Sequence, residues 1–292
     1  MAVNRAPPPR GELIQIDGRR LHVVRAGPAA SRPVVLLEAG SFGFSADWAA
    51  VQARLAVLGT PSIAYDRAGM ALSDPGPPPR DSLAIVTDLE KLLAALGEPG
   101  PLVIVGHSMA GLHIHHFAAR NPRMVAGLVF VDAITPELAA DPWVRRGAAQ
   151  YVRLARAAAR AGSLGLLGLA SPWGDRIGLP PDAARQKRWA FGNAAHNRTS
   201  ADEVVQWEAS VAQAAAAGPL NLAWPMAVVL AGSDRATPAQ RALRSAPADR
   251  SANGYAERVT RAQHASLIGE RHAAAVVRAI VHVCGAALEA AA

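Results

Sequence analysis

Ser108 lies in Val-Ile-Val-Gly-His-Ser-Met-Ala-Gly, residues 103–111, where an apolar run fit for a buried strand meets small residues that open a helix. A serine on so sharp a turn has its hydroxyl pushed clear of the backbone and within reach of a substrate. The turn crowds the residues two before and two after it, and Gly106 and Ala110 are small enough to fit. The helix aims its first amides at the same place, so the N–H of Met109 can receive an oxyanion. The chemistry this allows is nucleophilic attack on an acyl carbon. The pattern alone is short enough to arise by chance, so the rest of the chain must supply a base, an acid and a second oxyanion donor.

His264, in Arg-Ala-Gln-His-Ala-Ser-Leu, follows the last expected strand and precedes the last helix, where a loop can carry it over the C-terminal edge of a sheet. His22, His196, His272 and His282 read as structural or exposed. Two carboxylates close apolar runs. Asp234 ends Val-Val-Leu-Ala-Gly-Ser-Asp and gives the chain order Ser, Asp, His, so it is favoured as the acid; Asp132, ending Val-Phe-Val-Asp, is the substitute. Asp202 and Glu203 do not compete, because they sit away from any strand end. For the second oxyanion donor, Leu37-Glu38-Ala39-Gly40-Ser41-Phe42-Gly43 offers a glycine-freed loop, with the amide of Ser41 first and that of Phe42 second. Asp66-Arg67 reads as a brace between loops. His113-Ile114-His115-His116 lacks a cysteine or paired acid beside it, so no metal is expected.

These residues need strand ends to hold them. Leu13–Ile16 and Leu21–Arg25 flank a turn at Asp17-Gly18, and apolar runs at Val34–Leu37, Ser62–Tyr65, Leu102–Val105, Leu128–Val131 and Ala227–Leu230 read as buried strands, with Val259 in a last one. Helical patterns at Trp48–Ala56, Leu83–Leu96, Leu112–Arg120 and Ala273–Leu288 alternate with them, which predicts an α/β fold with a mostly parallel central sheet and helices on both faces. The alternation breaks over residues 135–217, an Ala-, Leu- and Arg-rich stretch punctuated at Pro172, Gly174 and Pro180-Pro181. It is expected to form several short helices inserted between two core strands, so that residues 1–134 and 218–292 make the core. Trp173, Trp189, Phe191 and Trp207 of this insertion, with Phe42, are candidates to line an apolar pocket.

Half of the 292 residues are apolar, enough for a sizeable core. The single cysteine, Cys284, rules out an intrachain disulfide and suits a reducing cytosol. The first ten residues lack the apolar core of a secretion signal, and the sequence reading finds no window approaching a membrane span, so a cytoplasmic protein without a membrane partner is expected. The net charge of +7 is almost all arginine, scattered except at Arg145, Arg146, Arg153, Arg156 and Arg160. Arg153, Arg156 and Arg160 share one helix face, read as solvated or weakly anion-attracting, and no nucleic-acid motif accompanies them.

Taken in order, these segments resemble the α/β-hydrolase fold superfamily, specifically its capped bacterial members. The resemblance rests on Asp17-Gly18-Arg19-Arg20-Leu21-His22, Tyr65-Asp66-Arg67-Ala68-Gly69 running on to Ser73-Asp74, Gly106-His107-Ser108-Met109-Ala110-Gly111, Val131-Asp132-Ala133 and His264. Two departures stand out. Ala39-Gly40 replaces the usual His-Gly of the oxyanion loop, and one residue rather than two separates Gly232 from Asp234, which keeps Asp132 in play. The resemblance implies a Ser-His-Asp hydrolase of a small-molecule ester, thioester or lactone, with no cofactor and with the insertion as a lid. A serine at position 108 argues against dehalogenase and epoxide hydrolase chemistry, which use aspartate there. The same scaffold also supports amide or carbon–carbon hydrolysis, perhydrolysis, hydroxynitrile lysis, cofactor-free oxygenation and non-catalytic ligand reception.

Overall fold

The computed structural model describes residues 10–28, 33–232 and 236–291. Its eight strands form one sheet in the order β1-β2-β4-β3-β5-β6-β7-β8. β1 (Glu12–Ile16) and β2 (Arg19–Ala26) make the expected hairpin, with Asp17 and Gly18 at positive φ in the turn, and β2 runs antiparallel to β4 (Ser62–Tyr65). All later pairings are parallel: β4 with β3 (Val34–Glu38), β3 with β5 (Leu102–His107), then β6 (Val125–Val131), β7 (Met226–Ala231) and β8 (Gly254–Val259).

The four central strands explain themselves in sequence. Val-Val-Leu-Leu-Glu, Leu-Val-Ile-Val-Gly-His, Val-Ala-Gly-Leu-Val-Phe-Val and Met-Ala-Val-Val-Leu-Ala are buried almost end to end, because helices cover both faces and leave no side for polar residues. On one face α1 (Ala49–Val57) and α11 (Ala273–Ala291) pack over Val35, Leu37, Val103, Val105, Val129 and Val229; on the other α2 (Ser82–Ala95), α3 (Ala110–Arg120) and α10 (Pro238–Arg250) cover Leu36, Ile104, Leu128, Phe130 and Val228. Each such aliphatic side chain contributes about 1.5–3 kcal/mol. α10 fully buries only Ala248 and holds Pro247 within it; its start is set by a capping box between Thr237 and Gln240.

α11 corrects one expectation. Its stretch Ala273–Ala290, with a mean hydropathy of 1.6, is long and apolar enough to cross a membrane. Here it lies on the sheet, where Val276, Ala279, Ile280 and Val283 are buried.

Between β6 and β7 the chain leaves the sheet. Residues 136–216 form α4 (Pro136–Ala139), α5 (Pro142–Ser163), α6 (Leu166–Leu169), α7 (Pro181–Gly192), α8 (Ala194–Val205) and α9 (Trp207–Ala216). Short helices broken near Pro172 and Pro180 fit the expectation, but α5 runs 22 residues. Asp141 starts it by accepting the N–H groups of Trp143 and Val144. These helices sit over the ends of β5 and β6, which is where the reactive side chains emerge.

Candidate active site

β5 ends at His107 and α3 begins at Ala110, so Ser108 occupies a two-residue hinge. Its φ of 58° is left-handed, a conformation a non-glycine residue adopts only when its surroundings impose it. Those surroundings are tight: a Cβ at Gly106 would lie 2.9 Å from Ile114 Cδ1, and one at Gly111 would lie 2.2 Å from the Ile134 carbonyl oxygen. The expected demand for small residues around the elbow is therefore real.

The Ser108 hydroxyl is 2.9 Å from His264 Nε2, and His264 Nδ1 is 2.6 Å from Asp132 Oδ2. A carboxylate can only accept, so Nδ1 carries the proton and Nε2 offers its lone pair to Ser108. The carboxylate hydrogen-bonded to His264 is Asp132, the substitute; the favoured Asp234 lies outside the described residues. Asp132 is reached because β6 lies beside β5 and its φ of 43° turns the side chain at the strand end. Burial alone would raise its carboxyl, but the hydrogen bond and charge of His264, with Arg244 at 3.6 Å, hold it below the usual carboxylate range.

His107, not singled out by sequence, supports His264. It donates from Nε2 to the His264 carbonyl oxygen at 3.1 Å, and the two rings lie 4.7 Å apart. Desolvation, then the neighbouring His264, push its pKa down to about 3, so it stays neutral.

The loop after β3 lies directly against the nucleophile. A Cβ on Gly40 would come within 2.9 Å of Ser108 Cβ and 3.0 Å of the His107 carbonyl oxygen, so only glycine fits. Phe42 takes φ 57°, and the Gly43 N–H closes the turn on the Gly40 carbonyl at 3.0 Å. The backbones of Ser41 and Met109 thereby flank Ser108 from two sides. The Ser41 hydroxyl reaches Met109 Sδ at 3.4 Å and is bonded to Tyr151 of α5.

This loop is held from behind by a buried ion network. Arg67, 3% exposed, donates from Nη1 to Glu38 at 2.6 Å and to the Ala39 carbonyl at 2.5 Å, and from Nη2 to the Gly40 carbonyl at 3.0 Å. The same guanidinium meets Glu203 of α8 at 2.7 Å. Burial alone would raise the Glu38 carboxyl, and its net position stays above normal despite Arg67 and the Tyr65 hydroxyl, which hydrogen-bonds to it. The expected brace at Asp66-Arg67 is present, since Asp66 takes His22 at 3.0 Å and the Ser45 and Leu72 amides. Glu203, set aside as too far from any strand end, is part of it.

A cavity of about 600 Å³ opens at Ser108, Gly40 and His264 and is walled by the insertion. Phe42 and Phe191 line it as expected; Tyr151, Leu154, Leu167, Arg176 and Lys187 were not foreseen. The three tryptophans point elsewhere. Trp173 is 73% exposed, Trp189 packs with Phe44 against the core, and Trp207 is buried with Leu138 and Val204 within the insertion, against Met109 and Leu112. Lys187 is neutralised by Asp47 at 2.8 Å and also donates to the Phe42 carbonyl at 2.8 Å. The histidines of α3 are used up in the scaffold: His113 and His116 both meet the Ser82 hydroxyl, at 3.3 and 3.1 Å. No cluster of three metal-ligating side chains occurs among the described residues.

A strand order with one antiparallel β2, a nucleophile turn after β5 and a histidine after β8 leave one assignment. The chain has the α/β-hydrolase fold. A family profile described as alpha/beta hydrolase fold matches residues 33–172. Among solved structures, this α/β-hydrolase chain is similar to a candidate epoxide hydrolase from Pseudomonas aeruginosa (TM-score 0.73, 20% identity, 96% of both chains covered). It is also similar to the enol-lactonase from Burkholderia xenovorans LB400 (0.65, 19%, 92% of this chain and 98% of that one). In sequence it is 35% identical over 133 residues to RutD of Caulobacter vibrioides, named as a candidate carbamate hydrolase, covering 45% of this chain and 47% of RutD. It is 31% identical over 116 residues to an AB hydrolase superfamily protein of Gibberella zeae, covering 38% and 36%. The α/β-hydrolase chain thus spans less than half the length of these curated relatives.

Proposed function

We propose that this protein is a serine hydrolase of carboxylic esters, with a small to medium apolar ester, thioester or lactone as substrate. The observation that carries this reading is the unbroken hydrogen-bond chain from Ser108 through His264 to Asp132, opening into a largely apolar cavity. Ser108 Oγ attacks the acyl carbon as His264 Nε2 takes its proton. The amides of Met109 and Ser41 receive the oxyanion, each worth about 3 kcal/mol of transition-state stabilisation. Asp132 steadies the imidazolium, which returns its proton to the leaving alcohol or thiol. Water, activated by the same ring, then releases the acid and restores Ser108. The insertion acts as the cap: Tyr151, Leu154, Leu167 and Phe191 line the side of the cavity that receives the acyl group.

The test is hydrolysis of p-nitrophenyl esters from acetate to decanoate by the wild type and by Ser108→Ala. We expect the variant to lose about four to six decades of kcat. Silence of the folded wild type across the series, or activity retained in Ser108→Ala, overturns the reading.

A further inference from the structure

From Pro142 to Gly174 the chain carries five arginines and no acidic residue. On α5, Arg145, Arg146, Arg153, Arg156 and Arg160 recur at spacings of seven, three and four, which place them in one stripe about 100° wide. The buried residues of α5, Val144, Ala148, Ala155 and Gly162, lie on the opposite side, so all five guanidinium groups face outward. None is in an ion pair among the described residues; Arg146 and Arg153 donate to carbonyls of their own helix, and Arg146 also helps to lower the nearby Asp141 carboxyl.

Apolar surface lies beside this charge. Seven of the fourteen large hydrophobic side chains exposed among the described residues fall between 143 and 173. Leu164 continues the arginine stripe, eleven residues past Arg153, and is 75% exposed; Leu166, Leu169 and Trp173 follow at 53%, 80% and 73%. Isolated exposed leucines are ordinary, but such a concentration is not.

We propose that this face docks on an anionic lipid surface, with the α5 arginines over the headgroups and Leu164, Leu166, Leu169 and Trp173 entering the interface. Charge complementarity selects this occupant. A bar of 22 residues, about 33 Å long, carrying one sign of charge, matches a flat negative surface, and leucines with a tryptophan at its end are what the headgroup boundary accepts. The same segment walls the cavity from its other side, through Tyr151, Leu154, Ala155 and Ala158, so docking would set α5 between the lipid surface and the cavity.

The experiment is co-sedimentation of the full chain with vesicles of phosphatidylcholine alone and of phosphatidylcholine mixed with phosphatidylglycerol. Binding is expected to the mixed vesicles and to weaken with salt. Arg153→Gln, Arg156→Gln and Arg160→Gln together should weaken it on the order of 100-fold, and Leu166→Ser with Leu169→Ser and Trp173→Ser should abolish what remains. These side chains are exposed, so circular dichroism should show both variants folded. Ser108→Ala should bind as the wild type does, which separates failure of docking from failure of the esterase reading. No binding to mixed vesicles, equal binding by the arginine variant, or a concentration-dependent dimer that the Leu and Trp substitutions dissolve without any vesicle binding overturns the proposal.

Discussion

Replacing Asp132 by asparagine removes a charge while keeping the shape of the side chain. Asp132 is 9% exposed and sits 2.6 Å from Nδ1 of His264, whose side chain is 51% exposed, so the imidazolium formed during attack has its counter-charge about 4 Å away, partly screened by water. At an effective dielectric of about 20, a unit pair at that distance is worth about 4 kcal/mol, which is about three decades of rate at 1.36 kcal/mol each. A neutral amide also ceases to enforce the Nδ1–H tautomer, a loss of about 10⁴ in serine-protease triads. We therefore expect kcat of Asp132→Asn to fall about 10³ to 10⁴-fold. KM should hardly change, because Asp132 does not line the cavity. The assay is initial-rate hydrolysis of the best p-nitrophenyl ester, with Asp234→Asn alongside and thermal melting to show that both variants fold. Asp132→Asn within tenfold of wild type, or Asp234→Asn falling as far, refutes the assignment.

Three further outcomes are expected. His107 and His196 titrate near 3 in the folded chain, against about 6.5 unfolded, so the unfolded state binds more protons between those values; stability is unaffected above that window and falls as pH drops through it. Each contributes about 1.4 kcal/mol per pH unit, with His113 shifting the same way and His22 opposing; urea unfolding at pH 7, 6 and 5 should show the loss, and His196→Gln should reduce its slope. Gly40→Ala places a methyl 2.9 Å from Ser108 Cβ and should cost at least about 100-fold in kcat and about 1–3 kcal/mol of stability; kinetics equal to wild type would show that the loop simply gives way. Arg67→Met strands Glu38 and Glu203 without their counter-charge and should destabilise by about 3–5 kcal/mol, read from urea midpoints.

The sheet was legible because central parallel strands are apolar throughout, and Ser108 and His264 because the chemistry fixes where each must stand. The acid was not. Asp132 and Asp234 each follow a strand, and which carboxylate meets Nδ1 depends on the path of the His264 loop, which no local pattern encodes. The tryptophans misled for a related reason: composition says that the insertion holds apolar bulk, but not which way each ring faces. Glu203 was passed over because its partner, Arg67, is 136 residues away in sequence. α10 stayed hidden because the apolar positions on its face, Ala239, Ala242, Leu243 and Ala246, are nearly all alanine, and Pro247 argues against a helix there.

The contact between Arg67 and Glu203 bears on how such a chain could diverge. The insertion interrupts the core at two neighbouring strand ends and looks like a part that recombination could exchange. Yet one of the two carboxylates balancing the buried guanidinium behind Gly40 is carried by the insertion itself. A foreign segment grafted between β6 and β7 must bring an acid to that spot, or inherit a changed residue at position 67 or 38. Specificity can drift freely at Leu154, Leu167 or Phe191, but wholesale replacement of the insertion is tied to the catalytic loop beneath it.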